Sequence, residues 1–259
     1  MKIDILTLFP AMFTGPLTES LLGKAQEKGI LKIKLTDPRS FTKDKHHVVD
    51  GRPFGGGPGM VMRTEPLYAA LKSVKALKKK RRALGVSVKS PLVIYLSPQG
   101  RRLDTGIVKK LAKHKHLVLV CGHYEGIDER AMSWMDEEIS IGDYVLTGGE
   151  LPAMVLIDAV ARNLPGVVKE AGSVENDSFY NGLLDFPNYT RPAVFRGAGV
   201  PDILLSGHHE KIAQWCRGQS LKRTAEKRPD ILKELKLSPA DKKLLQEALK
   251  SGRIQKDQR

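Results

Sequence analysis

Short β-rich runs alternating with helix-like segments predict an α/β fold, with a mostly parallel sheet and helices on both faces. Two further observations shape that expectation. Three apolar runs end in turn-rich loops, at residues 95–100, 121–126 and 140–152, where open α/β sheets gather ligands. Beyond Ser206 the chain turns helical and basic, which predicts a small all-helical C-terminal domain.

Taken in order, Lys2–Leu8 alternates well enough for a first strand. Asp4 interrupts its apolar run, so it does not read as a signal peptide. Pro10–Lys28 places Phe13, Leu17, Leu21, Leu22 and Ala25 near one helical face. Leu31–Leu35 alternates apolar residues with lysine, as a strand with one wet face does. Residues 41–60 hold a polar, basic stretch and then Gly55-Gly56-Gly57-Pro58-Gly59-Met60, so they predict a long loop, and long loops in compact domains are often functional. Thr64 is the expected cap of a helix over Glu65–Val74. Lys75–Lys89 reads as an exposed basic insertion.

Pro91–Leu96, Leu117–Cys121 and Glu137–Ile141 are the next strands. Asp104–Lys113 and Ile127–Trp134 are the helices between them, and Ala153–Asn163 follows. The divisions expected are an α/β domain over 1–164, an irregular linker over 165–191 rich in glycine, proline and asparagine, and a basic helical domain over 192–259. Helices there are expected near His209–Arg223, Pro229–Leu235 and Pro239–Lys250.

Composition narrows the function. The chain has 259 residues, 41% of them hydrophobic, with no apolar run long enough to span a membrane. Cys121 and Cys216 are far apart and form no CxxC pair, which favours a cytoplasmic setting over a disulfide framework. Lys+Arg 43 against Asp+Glu 29 gives a net charge of +14, a field that favours a polyanionic partner.

Familiar nucleotide motifs are missing. There is no GxxxxGK[ST], and the Gly55–Met60 run fails GxGxxG at its last position. There is no HExxH and no cysteine cluster. His208-His209 and the His114/His116 pair lack partners at a metal-ligand spacing, so no metal is expected.

What remains is a pocket of backbone amides and carbonyls with apolar walls and few cations. That suits a neutral heterocycle with a zwitterionic or cationic tail better than a triphosphate. The bland alternative is three tight βα turns. Glu125 could meet a ribose hydroxyl or a positive centre. The segment Ser140–Pro152 carries three glycines and a proline, a backbone built for close approach.

The runs Tyr95–Gly100, Cys121–Arg130 and Ser140–Glu150 resemble the bacterial tRNA (guanine-N1)-methyltransferase family, of the knotted SPOUT class of S-adenosylmethionine enzymes. The resemblance continues through Asp158–Arg162, Asp177–Phe179, Gly182–Asp185, Tyr189–Pro192 and Leu204–His209, and so covers nearly the whole chain. It implies a deep trefoil knot in the 1–164 domain, which the usual topology rules would not suggest. It also implies a homodimer whose active sites each draw on the second subunit, and S-adenosylmethionine as cofactor. The implied substrate is the guanine immediately 3′ of the tRNA anticodon, guanine-37.

By the same resemblance Asp177 matches the general base and Arg162 the electrostatic stabiliser. On pattern alone, Asp177 reads as a helix N-cap and Arg162 as a favourable C-terminal cation. Asp185 and Glu125 are reserve carboxylates. The implied cofactor site comprises Tyr95, Leu96, Ser97, Pro98 and Gln99; Gly122, Tyr124, Glu125 and Gly126; and Ser140, Ile141, Gly142, Asp143, Tyr144, Val145, Leu146, Gly148, Gly149 and Pro152. The helix launched by this last loop is expected to carry Arg162 toward the reacting guanine. The 165–191 linker would hold the base, and the domain over 192–259 would bind the tRNA anticodon stem-loop through Lys211, Arg217, Lys222, Arg223, Lys227 and Arg228. Phe179, Tyr189 and the 50–60 loop are candidates to stack on or read bases. Two other readings stand beside this one: a related enzyme methylating a ribose 2′-hydroxyl, and a catalytically silent RNA-binding protein.

Overall fold

The computed structural model describes residues 1–77, 91–169 and 175–256, with side chains described through residue 250. Most of the basic insertion expected over Lys75–Lys89 lies outside the described residues. The chain folds as two compact units, Met1–Lys169 and Glu170–Arg259.

The first unit is built on a parallel sheet. β1 (Lys2–Leu6), β2 (Lys32–Thr36), β5 (Leu92–Arg102), β6 (His116–Cys121) and β7 (Glu137–Ser140) lie in the order β2-β1-β6-β5-β7. All four ladders are parallel. Period-two alternation sorts the strand side chains onto two faces. Ile3, Ile5, Ile94, Leu96, Leu117, Leu119 and Ile139 enter one core with α1 (Ser20–Glu27), α3 (Thr105–Leu111) and α4 (Glu150–Arg162). Leu6, Val93, Tyr95, Val118 and Val120 enter the other, under α2 (Thr64–Ser73). Both faces are covered, as a buried parallel sheet requires.

Several element ends differ from expectation, each for a local reason. The Pro10–Lys28 helix is interrupted. A 3-10 turn spans Pro10–Phe13, and α1 begins only at Ser20. Gly15 sits at φ 89° and precedes Pro16, and a residue before proline is driven out of the helical region. Thr64 is not the cap of α2. Arg63 is, held extended while its N–H donates to the Val49 carbonyl at 2.7 Å. Ile127–Trp134 forms a 3-10 turn over Glu129–Trp134 rather than an α-helix. Asp104, in contrast, caps α3 by accepting from the Ile107 N–H at 2.7 Å.

The 41–60 loop is less open than its composition suggests. β3 (Asp50–Gly51) pairs antiparallel with β4 (Val61–Met62), closing the glycine run into a hairpin. Phe54 stands at its end, 100% exposed.

The segment 165–191 is shared between the units. Val167 is buried in the first core. Leu183 is buried in the second unit, where the Leu184 N–H donates to Thr224 Oγ1 at 2.9 Å. That unit contains α5 (Asp202–Leu205), α6 (His209–Lys227), α7 (Pro229–Glu234) and α8 (Pro239–Lys256). It is not purely helical, because β8 (Val194–Phe195) and β9 (Ala198–Gly199) form an antiparallel hairpin. α8 docks on α6 through a bidentate Arg217–Asp241 ion pair at 2.9 and 3.2 Å.

Candidate active site

The carboxyl ends of β5, β6 and β7 converge on a cavity of about 240 Å³. Each loop is shaped by its own chemistry. After Leu96 the chain bulges through Ser97-Pro98-Gln99, with the Gln99 N–H held by Ser97 Oγ at 3.0 Å, and then resumes pairing at Arg101. The Leu103 N–H donates to the Ser140 carbonyl at 2.8 Å, tying this loop to the end of β7. Ser140 Oγ in turn donates to the Gly142 carbonyl at 2.9 Å, curling the third loop.

The third loop reaches the second. The Gly149 N–H donates to the Gly122 carbonyl at 2.8 Å, and His123 bridges Gly148. Glycine is required by space here. A Cβ on Gly149 would stand 2.7 Å from the α-carbon of Cys121 and 3.0 Å from the Gly122 nitrogen. A Cβ on Gly122 would stand 2.8 Å from the Tyr95 ring. Real Cβ atoms do not approach so closely, so these glycines let three backbone segments meet.

Nearly all the residues expected at the cofactor site line this one cavity: the 95–99 set, the 122–126 set, and the third loop from Ser140 to Pro152. Asp143 does not. Its carboxylate faces outward, 3.8 Å from the exposed Arg102 guanidinium. Ile139, Thr147 and His123 line the cavity as well, beyond the sequence expectation. Alternation alone could have flagged Ile139, as the inward neighbour of Ile141.

Beneath the loops lies a buried carboxylate. Glu150, 2% exposed, is the first residue of α4, where the helix N-terminus favours negative charge. Thr7 Oγ1 donates to it at 2.8 Å, and the Phe9 N–H donates to Thr7 Oγ1 at 2.9 Å. His123 Nδ1 lies 4.0 Å away and, among the described residues, is buried without a hydrogen-bond partner. Thr7→Val keeps the shape and removes the donor. It is expected to lower stability by about 1–3 kcal/mol, read as a shifted denaturant midpoint with unchanged slope.

The walls are desolvated. Burial pushes the Tyr95 hydroxyl above its ordinary pKa, with a backbone bond at Ile127 opposing. Burial, and then the Glu150 charge, push the Cys121 thiol well up, so it stays a neutral packing group. Tyr124 is raised by partial burial and by Asp50.

The two residues matched to catalysis stand elsewhere. Arg162 ends α4, twelve residues beyond Glu150, so the helix rise carries it roughly 18 Å from the pocket end. Within one chain the helix leads Arg162 away from the cavity rather than into it. Asp177 belongs to the second unit, half-buried, and is no helix cap. It begins a turn in which the Tyr180 N–H donates to the Asp177 carbonyl at 3.2 Å. With Leu183, Cys216 and Arg217 it lines a separate cavity of about 340 Å³. Asp185, the reserve carboxylate, has Oδ2 bonded to the Asn188 amide at 2.9 Å.

Parallel strands ending in a glycine-shaped pocket of backbone groups and apolar walls define an α/β ligand-binding protein of the strand-end type. Comparison with known proteins specifies the family. The model of tRNA (Guanine-1)-methyltransferase TrmD matches residues 1–234. A tRNA (guanine-N(1)-)-methyltransferase of Endomicrobium trichonymphae is 64% identical over 234 residues, 90% of this chain and 100% of that one. Relatives of the same name are similar over greater lengths. That of Desulforamulus reducens is 54% identical, covering 95% of this chain and 94% of its own, and that of Moorella thermoacetica 50%, covering 95% and 96%. The chain belongs to the tRNA (guanine-1)-methyltransferase family.

Proposed function

We propose that the chain transfers a methyl group from S-adenosylmethionine to N1 of the guanine immediately 3′ of the anticodon in tRNA. One observation carries the reading. The strand-end cavity of the first unit lies wholly within the 1–234 span over which this chain matches the methyltransferase family.

The cavity fits the cofactor's chemistry. Its backbone amides and carbonyls can meet an adenine edge and a methionine tail, and Tyr95, Leu96, Ile141 and Pro152 wall an apolar heterocycle. Glu125 is the carboxylate on its rim, suited to a ribose hydroxyl or a positive centre. When bound, S-adenosylmethionine supplies an electrophilic methyl group.

N1 of guanine carries a proton, and its lone pair is engaged in the ring amide. Asp177 takes that proton as general base, in the geometry that a positioned carboxylate offers. Arg162 meets the negative charge that builds on O6. Because α4 leads Arg162 away from its own cavity, the reading places it at the pocket of a second subunit. An apolar stripe supports such a homodimer. Leu151 and Val155, one turn apart on α4, are 49% and 48% exposed.

The knotted form is part of the proposal. β5 lies between β6 and β7, yet the chain leaving β7 joins the loop after β6, while the segment after β5 returns to β7. Those crossings favour threading over a simple open sheet. The division into a cofactor domain over 1–164, a linker carrying the base over 165–191 and a tRNA-binding domain over 192–259 also belongs to it. So does a cytoplasmic location; among the described residues no helix is long and apolar enough to cross a membrane.

Label transfer from S-adenosylmethionine to tRNA transcripts tests the reading. A transcript with guanine 3′ of the anticodon should be labelled, and one with adenine there should not. Equal labelling of both would favour the ribose 2′-hydroxyl reading.

A further inference from the structure

The second unit carries a hairpin to which no residue-level role has been assigned above. β8 and β9 pair through Val194–Gly199 and Phe195–Ala198. The two residues of its turn, Arg196 at φ 50° and Gly197 at φ 82°, both lie in the left-handed region. That is the mirror-image turn whose twist matches a hairpin. Its first position favours asparagine or glycine, and an arginine there incurs steric strain.

Packing accounts for neither the arginine nor the aromatic beside it. Residues 191–199 are all exposed, Val194 at 64% and Phe195 at 63%. Two residues per strand contribute little stability of their own. The Arg196 guanidinium lies 5.5 Å from the centroid of the Phe195 ring, so cation and aromatic face form one platform at the tip. Tyr189, 49% exposed, and the exposed Arg191 precede it. No Asp or Glu occurs between Asp185 and Asp202.

We propose that the β8–β9 hairpin is a stacking platform for an unpaired base of RNA, with Arg191 and Arg196 on the flanking phosphates. An exposed ring beside guanidinium groups, with no carboxylate among them, is the chemistry of single-strand recognition. A second copy of this chain fits less well, because it would bring its own net charge of +14 toward the same cationic tip. The proposal rests on the tRNA reading and adds to it a contact separate in sequence from the basic helices and from the matched catalytic residues.

The test uses the full chain and two labelled RNAs, an anticodon stem-loop and a blunt duplex of the stem alone, titrated by fluorescence anisotropy. Phe195→Ala should weaken stem-loop binding roughly 10- to 100-fold, the worth of about one stacked base. Duplex binding, melting temperature and oligomeric state should not change, and Phe195→Trp should restore the loss. Arg196→Gly, which suits the turn, should flatten the slope of log affinity against log salt by about 0.7. Stem-loop binding unchanged in Phe195→Ala overturns the proposal. So does a fall in oligomeric state, which would make the hairpin a contact between copies. A wild-type chain that binds neither RNA removes the tRNA reading itself, and the platform with it.

Discussion

Asp177→Ala is expected to lower methyl transfer roughly 10²- to 10⁴-fold, the usual worth of a positioned general base. The reason is chemical: without proton removal, N1 of guanine offers no free lone pair to an incoming methyl. Asp177 is not among the residues that line the glycine-loop cavity, so cofactor affinity measured by calorimetry should stay within about twofold. Asp177→Asn separates charge from shape and should lose activity to the same degree. A variant that turns over like the wild type would show that another carboxylate holds the role, with Asp185 and Glu125 the next to replace.

Gly149→Ala should damage the site through geometry alone. The glycine adopts an ordinary helical φ of −81°, so backbone strain is not the issue. The added Cβ would meet main-chain atoms of Cys121 and Gly122, which have no rotamer with which to yield. Overpacking of this kind costs about 1–3 kcal/mol. For a unit of this size that lowers the melting temperature by roughly 3–10 °C. The same displacement opens the seam between the second and third loops, so cofactor affinity should fall at least about tenfold, as a misplaced binding backbone implies. Gly199→Ala meets nothing within 4 Å and serves as the neutral comparison. An unchanged cofactor affinity in Gly149→Ala would mean that the seam does not shape the pocket.

Much of this was legible in the residues. Strands such as Leu117–Cys121 announce themselves because both faces are buried and the run is continuously apolar. The pocket was legible because glycine and proline mark strand ends, and strand ends converge in a parallel sheet. What periodicity missed was set by neighbours distant in sequence. Arg63 caps α2 because Val49 holds its N–H, a partner well upstream in the chain. His123 faces the buried Glu150 only because the third loop folds back on the second. Asp143 sits within a lining motif yet turns outward, since one residue's direction in a curled loop depends on the Ser140–Gly142 bond rather than on alternation. The distance from Glu150 to Arg162 was countable along the helix.

The activity is defined by the identity of the methylated atom. Mass spectrometry of tRNA incubated with the protein and isotope-labelled S-adenosylmethionine, digested to single nucleosides and mapped by fragment, addresses it directly. One labelled methyl is expected, on the base of the guanine 3′ of the anticodon, co-eluting with N1-methylguanosine. A label on a ribose, on a different nucleotide, or on none would contradict it.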